Sequence, residues 1–123
     1  MQYHAEHSPD PQAWLELDEA ERNDAVLRFH KRIRARAGNL RLHAIIHAVV
    51  ETQLAEGQSS VVRTLERLVS EGLERHDAIH ALGSLVAGHI FNVFHGQAFD
   101  AAEYERKLAG LSATTWRNQG DED

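Results

Sequence analysis

Nine histidines are spread unevenly along this chain of 123 residues. His43, His47 and Glu51 follow one another at four-residue intervals, and His76 and His80 repeat that interval further along. Side chains four apart on a helix project from one face about one turn apart, so each set can converge on a point. Imidazoles and carboxylates from two facing helices can close on a cation with no loop between them, as transition-metal sites in helical bundles do. Zinc, iron and nickel all suit such nitrogen and oxygen donors. The expected ligands are therefore His47, Glu51, His76 and His80, with His43 and His30 as further ligands or as groups that orient them. At about 100° per residue, His43 and His47 flank the apolar stripe near Val50 and Leu54, which makes them half-buried. His76 and His80 share a side with Gly83 and Ala87, whose small side chains leave space beside the imidazoles. His30 lies on the flank of a Val26-Phe29-Ile33 stripe. His89 falls nearer Leu82 and Leu85 and ranks below these, while His4, His7 and His95 read as solvated.

A second reading needs no metal. Histidines at an apolar edge also hydrogen-bond to carboxylates and carbonyls, and two apolar helices can bury surface by self-association. That gives a homodimer with histidines at its interface, which would respond to pH between about 5 and 8. Protonating all the histidines would add nine charges to a formal net of −6, so the charge of the chain is strongly pH-dependent.

The elements that must position these residues all read as helices. The segment Ser8-Pro9-Asp10-Pro11 forms a turn into Trp14-Leu15, and Asp18 then caps a helix expected over 19–37, closed by Gly38-Asn39. A second helix is expected from Leu40 to Glu56, stopped by Gly57, with Leu42, Ile45, Ile46, Val49 and Val50 apolar. A third begins at Ser59 or Ser60, packs Val61, Leu65, Leu68 and Val69, and breaks at Gly72. The fourth spans about Glu74 to His95, with Ile79, Leu82, Val86, Ile90 and Val93 on one stripe. A short last helix starts at Asp100 and includes Tyr104, Leu108 and Leu111. The expectation is an all-α fold, a compact bundle of four to five helices in one domain spanning 1–123, with 1–13 and 118–123 as frayed tails.

Composition narrows the chemistry. With 42% hydrophobic and 26% charged residues, the chain has the balance of a globular domain. The absence of cysteine excludes disulfides, thiolate metal sites and a cysteine nucleophile. Net negative charge argues against nucleic acid as a general partner. A helix-turn-helix reading of Leu65 to Leu82 would present His76, Asp77 and His80 to phosphate, a poor recognition face. No apolar run approaches the roughly 20 residues that cross a bilayer, and Met1 to Asp10 lacks the pattern of a secretory signal, so the cytoplasm is the expected compartment. Phosphate-binding glycine loops, zinc-protease motifs and nucleophile elbows are missing too, so neither the substrate nor the reaction is named by a motif.

Three resemblances follow from the residues above. His30, His47, Glu51, His76 and His80 resemble in outline the ligands of hemerythrin-like di-iron bundles, although here an entire helix separates Glu51 from His76. His47, the His76-Asp77 dyad and Asp100 resemble the ligand order of the HD phosphohydrolases, which implies a metal-dependent phosphohydrolase as an alternative. Finally, the runs Asn39-Leu40-Arg41-Leu42-His43-Ala44-Ile45-Ile46-His47 and Glu71-Gly72-Leu73-Glu74-Arg75-His76-Asp77-Ala78-Ile79-His80 resemble an uncharacterised bacterial family, domain of unknown function 1841. The likeness extends from Trp14-Leu15-Glu16-Leu17-Asp18 through Phe29-His30 to Thr115-Trp116-Arg117. It implies a small bacterial helical protein and brings no reaction with it.

Overall fold

The computed structural model describes residues 1–119, and residues 120–123, the remainder of the carboxy-terminal tail expected from the sequence, lie outside the described residues. Among the described residues the fold is all-α, with seven helices: α1 (Pro11–Glu16), α2 (Glu19–Arg32), α3 (Leu40–Ala55), α4 (Ser59–Ser70), α5 (Arg75–Phe94), α6 (Ala101–Gly110) and α7 (Ala113–Gln119). The count exceeds the expected four to five because α1 and α7 are too short to show helical periodicity. Residue 118, expected in a tail, belongs to α7.

Local chemistry starts these helices where the sequence suggests. Asp10 caps α1 by accepting from the Ala13 N–H, and Pro11 occupies the first turn, where its missing N–H costs nothing. Asp18 and Glu21 form a reciprocal capping box on α2. Asn39 and Asp100 cap α3 and α6 by accepting from the Leu42 and Glu103 N–H groups.

The stops share one device. After α3, α4 and α5 the chain turns through Gly57, Gly72 and Gly96, each at positive φ. Each glycine N–H returns to a carbonyl three residues back, and the next N–H to one five residues back, as in Gly57 to Leu54 and Gln58 to Gln53. The end of α2 uses this geometry with no glycine. Arg34, at φ 56°, takes the left-handed position, with Arg34 N–H bonded to Lys31 O and Ala35 N–H to His30 O. The helix expected to run to Ala37 therefore ends about one turn earlier, which places His30 in its last turn.

α3 is the central element and packs on α1, α2, α4 and α5. Its Ala44, Ala48 and Val50 are buried, with Ala44 and Ala48 in a cluster that includes Trp14, Ala25, Val26 and Phe29, and Val50 in a second with Ile79, Leu82 and Leu108. Leu68, Ala78 and Ala113 form a third cluster beneath α7. Gly83 allows α5 to approach α3 closely, since a Cβ there would lie 3.1 Å from Ile46 Cγ2. Ile33, Leu42, Val69, Ile90 and Val93, expected on apolar stripes, are instead substantially exposed.

The amino-terminal residues differ most from expectation. Residues 1–13 are no frayed tail: Tyr3 and Ala5 are fully buried and 11–13 start α1. Arg32 donates to Tyr3 O at 2.7 Å, and Arg75 donates to Ala5 O at 2.9 Å. Two arginines from separate helices thus hold the segment through its backbone.

Arg34→Gly should remove the left-handed strain while keeping the stop. A non-glycine residue there costs roughly 1–2 kcal/mol, partly offset by the greater freedom glycine gives the unfolded chain. A gain of about 1 kcal/mol in urea unfolding is expected, and unchanged or reduced stability would contradict this account of the α2 stop.

Candidate metal centre

Five of the six expected ligands meet. α2 supplies His30 from its last turn, α3 supplies His43 and His47 from its first two turns, and α5 supplies His76 and His80 from its first two turns. The ring centroids lie 4.3 Å apart for His43–His47 and His76–His80, and 4.6 Å apart for His30–His47 and His47–His80. His47 is the hub and contacts the other four rings. His30, His47 and His80 are buried, while His43 and His76 are partly so.

One nitrogen from each of His30, His47, His76 and His80 lies within 4.8 Å of every other in that set. Within the set, His30 Nε2 lies 3.4 Å from His76 Nε2. Two nitrogens that share a tetrahedral zinc at 2.0–2.1 Å are about 3.3–3.4 Å apart, so this pair already has the spacing of two ligands. The other face of the His30 ring is fixed, because Nδ1 lies 2.9 Å from Val26 O and, as the donor to that carbonyl, leaves Nε2 as the acceptor. A carbonyl that sets the tautomer of a ligand histidine is a recurrent outer contact of metal sites.

His47 is the most constrained member. It is 1% exposed, and both its ring nitrogens are buried without a hydrogen-bond partner among the described residues. A buried polar group in that condition costs about 1–3 kcal/mol, which coordination of a cation would offset. Burial, followed by the neighbouring imidazoles of His80, His43, His30 and His76, pushes its pKa far below the ordinary histidine value. His47 is therefore neutral at physiological pH, the form in which imidazole binds metal.

Glu51 is the exception. Its carboxylate accepts from Arg75 at both oxygens, each at 2.8 Å, and also from the Tyr3 hydroxyl. The expectation of Glu51 as a ligand is corrected accordingly: the spacing put it on the histidine face, but a bidentate guanidinium takes both oxygens. Burial alone would lower the Arg75 pKa, but the hydrogen bonds and charge of Glu51 hold it above its usual value. Tyr3 is raised by burial first and by the Glu51 charge second, so it stays a neutral donor. Sequence reasoning missed both partners. A signal existed for Arg75, which begins α5 where the helix dipole favours acids, so an arginine there needs its own anion.

Other residues fall away from the cluster. Asp100 caps α6 by accepting from Glu103 N, so the ligand set of the HD phosphohydrolases is not assembled among the described residues. His89 packs against Tyr104 and Phe99. His4, His7 and His95 are exposed, as expected. The five clustered histidines meet inside one chain. No described helix is long and apolar enough to cross a membrane.

Two predictions follow from this geometry. Glu51→Ala leaves the Arg75 guanidinium, 12% exposed, without its anion, and should cost about 3–5 kcal/mol in denaturant unfolding. A loss below about 1 kcal/mol would mean the pair contributes little. For the metal-free protein, the depressed His47 pKa fixes the sign of the pH dependence. The unfolded chain takes up a proton near pH 6.5 that the folded chain refuses, so stability is complete above about pH 7 and falls as the pH drops below 6.5. The slope from this group is at most about 1.4 kcal/mol per pH unit, and a flat profile between pH 7 and 5 would contradict it.

Compared with models of known protein families, with curated proteins and with solved structures, the chain matches none of them.

Proposed function

We propose that this protein binds a transition-metal ion through the imidazoles of His30, His47, His76 and His80, with His43 as a fifth nitrogen ligand or as a group that orients the others. The observation that carries this reading is the convergence of four histidine nitrogens from three helices within 4.8 Å of one another. Neutral nitrogen donors with neither thiolate nor carboxylate among them select borderline divalent ions such as zinc, nickel or iron(II) over magnesium or calcium, which require oxygen. Zinc fits the 3.4 Å His30–His76 spacing best. A set made only of neutral ligands leaves the charge of the ion undiminished, which favours polarising a bound molecule over storing charge.

The alternative, a metal-free homodimeric structural or interaction protein with pH-sensitive histidines, draws its support from the depressed pKa of His47 alone. The two readings differ in what purified protein contains. Untagged protein prepared without added metal should carry about one equivalent of zinc, nickel or iron by elemental analysis, and His47→Ala and His76→Ala should each lower it at least tenfold. Adding the ion to stripped protein at about 100 times its dissociation constant should stabilise the fold by about 2.7 kcal/mol. Wild-type protein that contains no metal and takes up none of the three ions would overturn the proposal in favour of the metal-free reading.

A further inference from the structure

Beside the histidines lies a cleft of about 280 Å³, walled by His43, His47 and His80 on one side and by Leu42, Ile46, Ala87 and Trp116 among its other lining residues. Trp116, from α7, is among its lining residues. Gly83 and Ala87 form part of the α5 wall. An apolar cavity of about 150 Å³ is enough to hold benzene, so the space suits a molecule somewhat larger.

The chemistry of the wall is selective. Among the described residues, no Asp, Glu, Lys or Arg lines the cleft. Its two polar side chains other than histidine already make bonds within their own segments: Ser84 Oγ donates to Ala81 O at 2.7 Å, and Asn39 Oδ1 accepts the Leu42 N–H at 3.0 Å as the α3 cap. In the metal-free protein, an anion that entered would lose its hydration and meet no Lys or Arg among the described residues in return. A phosphate ester in particular would lack the arginine or lysine clamp that phosphoryl chemistry uses. An uncharged apolar molecule would lose nothing of that kind and would be brought against the imidazoles.

We infer that this cleft admits a small, uncharged, largely apolar molecule and presents it to the histidine cluster. Its role as a ligand or substrate of the bound ion rests on the metal-binding proposal, whereas occupancy of the cleft does not.

The test has two arms on the full-length protein. In the metal-free arm, toluene is titrated while the methyl resonances of Leu42, Ile46 and Ala87 are followed by NMR. Saturable shifts confined to the cleft are expected, and Ala87→Phe should weaken them at least tenfold. In the metal-loaded arm, cobalt(II) replaces the native ion, and its visible absorption is followed on addition of pyridine at pH 7.5, with and without toluene. Pyridine should perturb the spectrum, and toluene, which would occupy the cleft without ligating the ion, should raise the pyridine concentration required. Ala87→Phe should keep its cobalt and lose the pyridine response, which separates a filled cleft from a disrupted fold. Absence of toluene shifts in the cleft would overturn the inference, as would toluene shifts or a pyridine response that Ala87→Phe leaves intact. Protein that shows the toluene shifts but takes up no cobalt would support the cleft and overturn the metal proposal.

Discussion

The pairing of Arg75 with Glu51 is the contact on which the arrangement of this molecule turns. It joins the first residue of α5 to the fourth turn of α3 through two 2.8 Å hydrogen bonds. On α3, Glu51 stands one turn beyond His47, and on α5, Arg75 immediately precedes His76. Fixing the pair therefore fixes the register in which His43 and His47 face His76 and His80. A guanidinium and a carboxylate held bidentately tolerate little sliding, whereas apolar helix faces alone accept several registers. The buried pair is costly to desolvate and adds little net stability against a well-packed apolar alternative. Its value here is positional, since the helices that it aligns carry four of the five clustered imidazoles.

The third helix is brought in by different means. His30 reaches the cluster because α2 stops just after it, and that stop requires Arg34 in a conformation natural to glycine. His30 is held on one side by the Val26 carbonyl and on the other by its neighbours in the cluster. The amino-terminal segment then closes this side of the site. Tyr3 completes the Glu51 carboxylate, and Glu6 offers Oε1 to the His76 N–H at 3.3 Å, near the start of α5, where Glu74 makes no side-chain cap. Groups from α2, α3, α5 and the leading segment are thus mutually dependent, so a change at one should be felt by the others.

Much of this was legible in the sequence, for identifiable reasons. The helices expected over 40–56 and 74–95 are observed as Leu40–Ala55 and Arg75–Phe94, because periodic apolar residues, Asn39 as a cap and glycines as stops all agree. The convergence of the i,i+4 histidine pairs was legible too, since the spacing fixes a face whatever the tertiary fold. What escaped depended on contacts distant in sequence. Glu51 shares the face of His47, but nothing local says that Arg75 will claim it from 24 residues away. Tyr3 lies 48 residues from Glu51, in a stretch whose polar composition suggests a tail. The early end of α2 was hidden because arginine seldom occupies a left-handed position.

An all-imidazole cluster would tie a bound ion, the proton and the fold to the same nitrogens. Each ligand must be neutral to bind metal, and burial already favours the neutral form at His47, so the folded chain meets part of that requirement before any ion arrives. Carboxylate ligands would attract the cation from a distance and lower its net charge once bound. Their absence from the cluster among the described residues would leave selection of a bound ion to geometry and donor softness, and its full positive charge beside a cleft that no described Asp, Glu, Lys or Arg lines. In so apolar a setting a cation acts on a neighbouring molecule with little screening. Glu51 and Arg75 cancel each other nearby and so do not alter that balance. Diverting the one carboxylate on the histidine face into an ion pair therefore does two things at once: it aligns the helices, and it keeps the cluster free of negative charge.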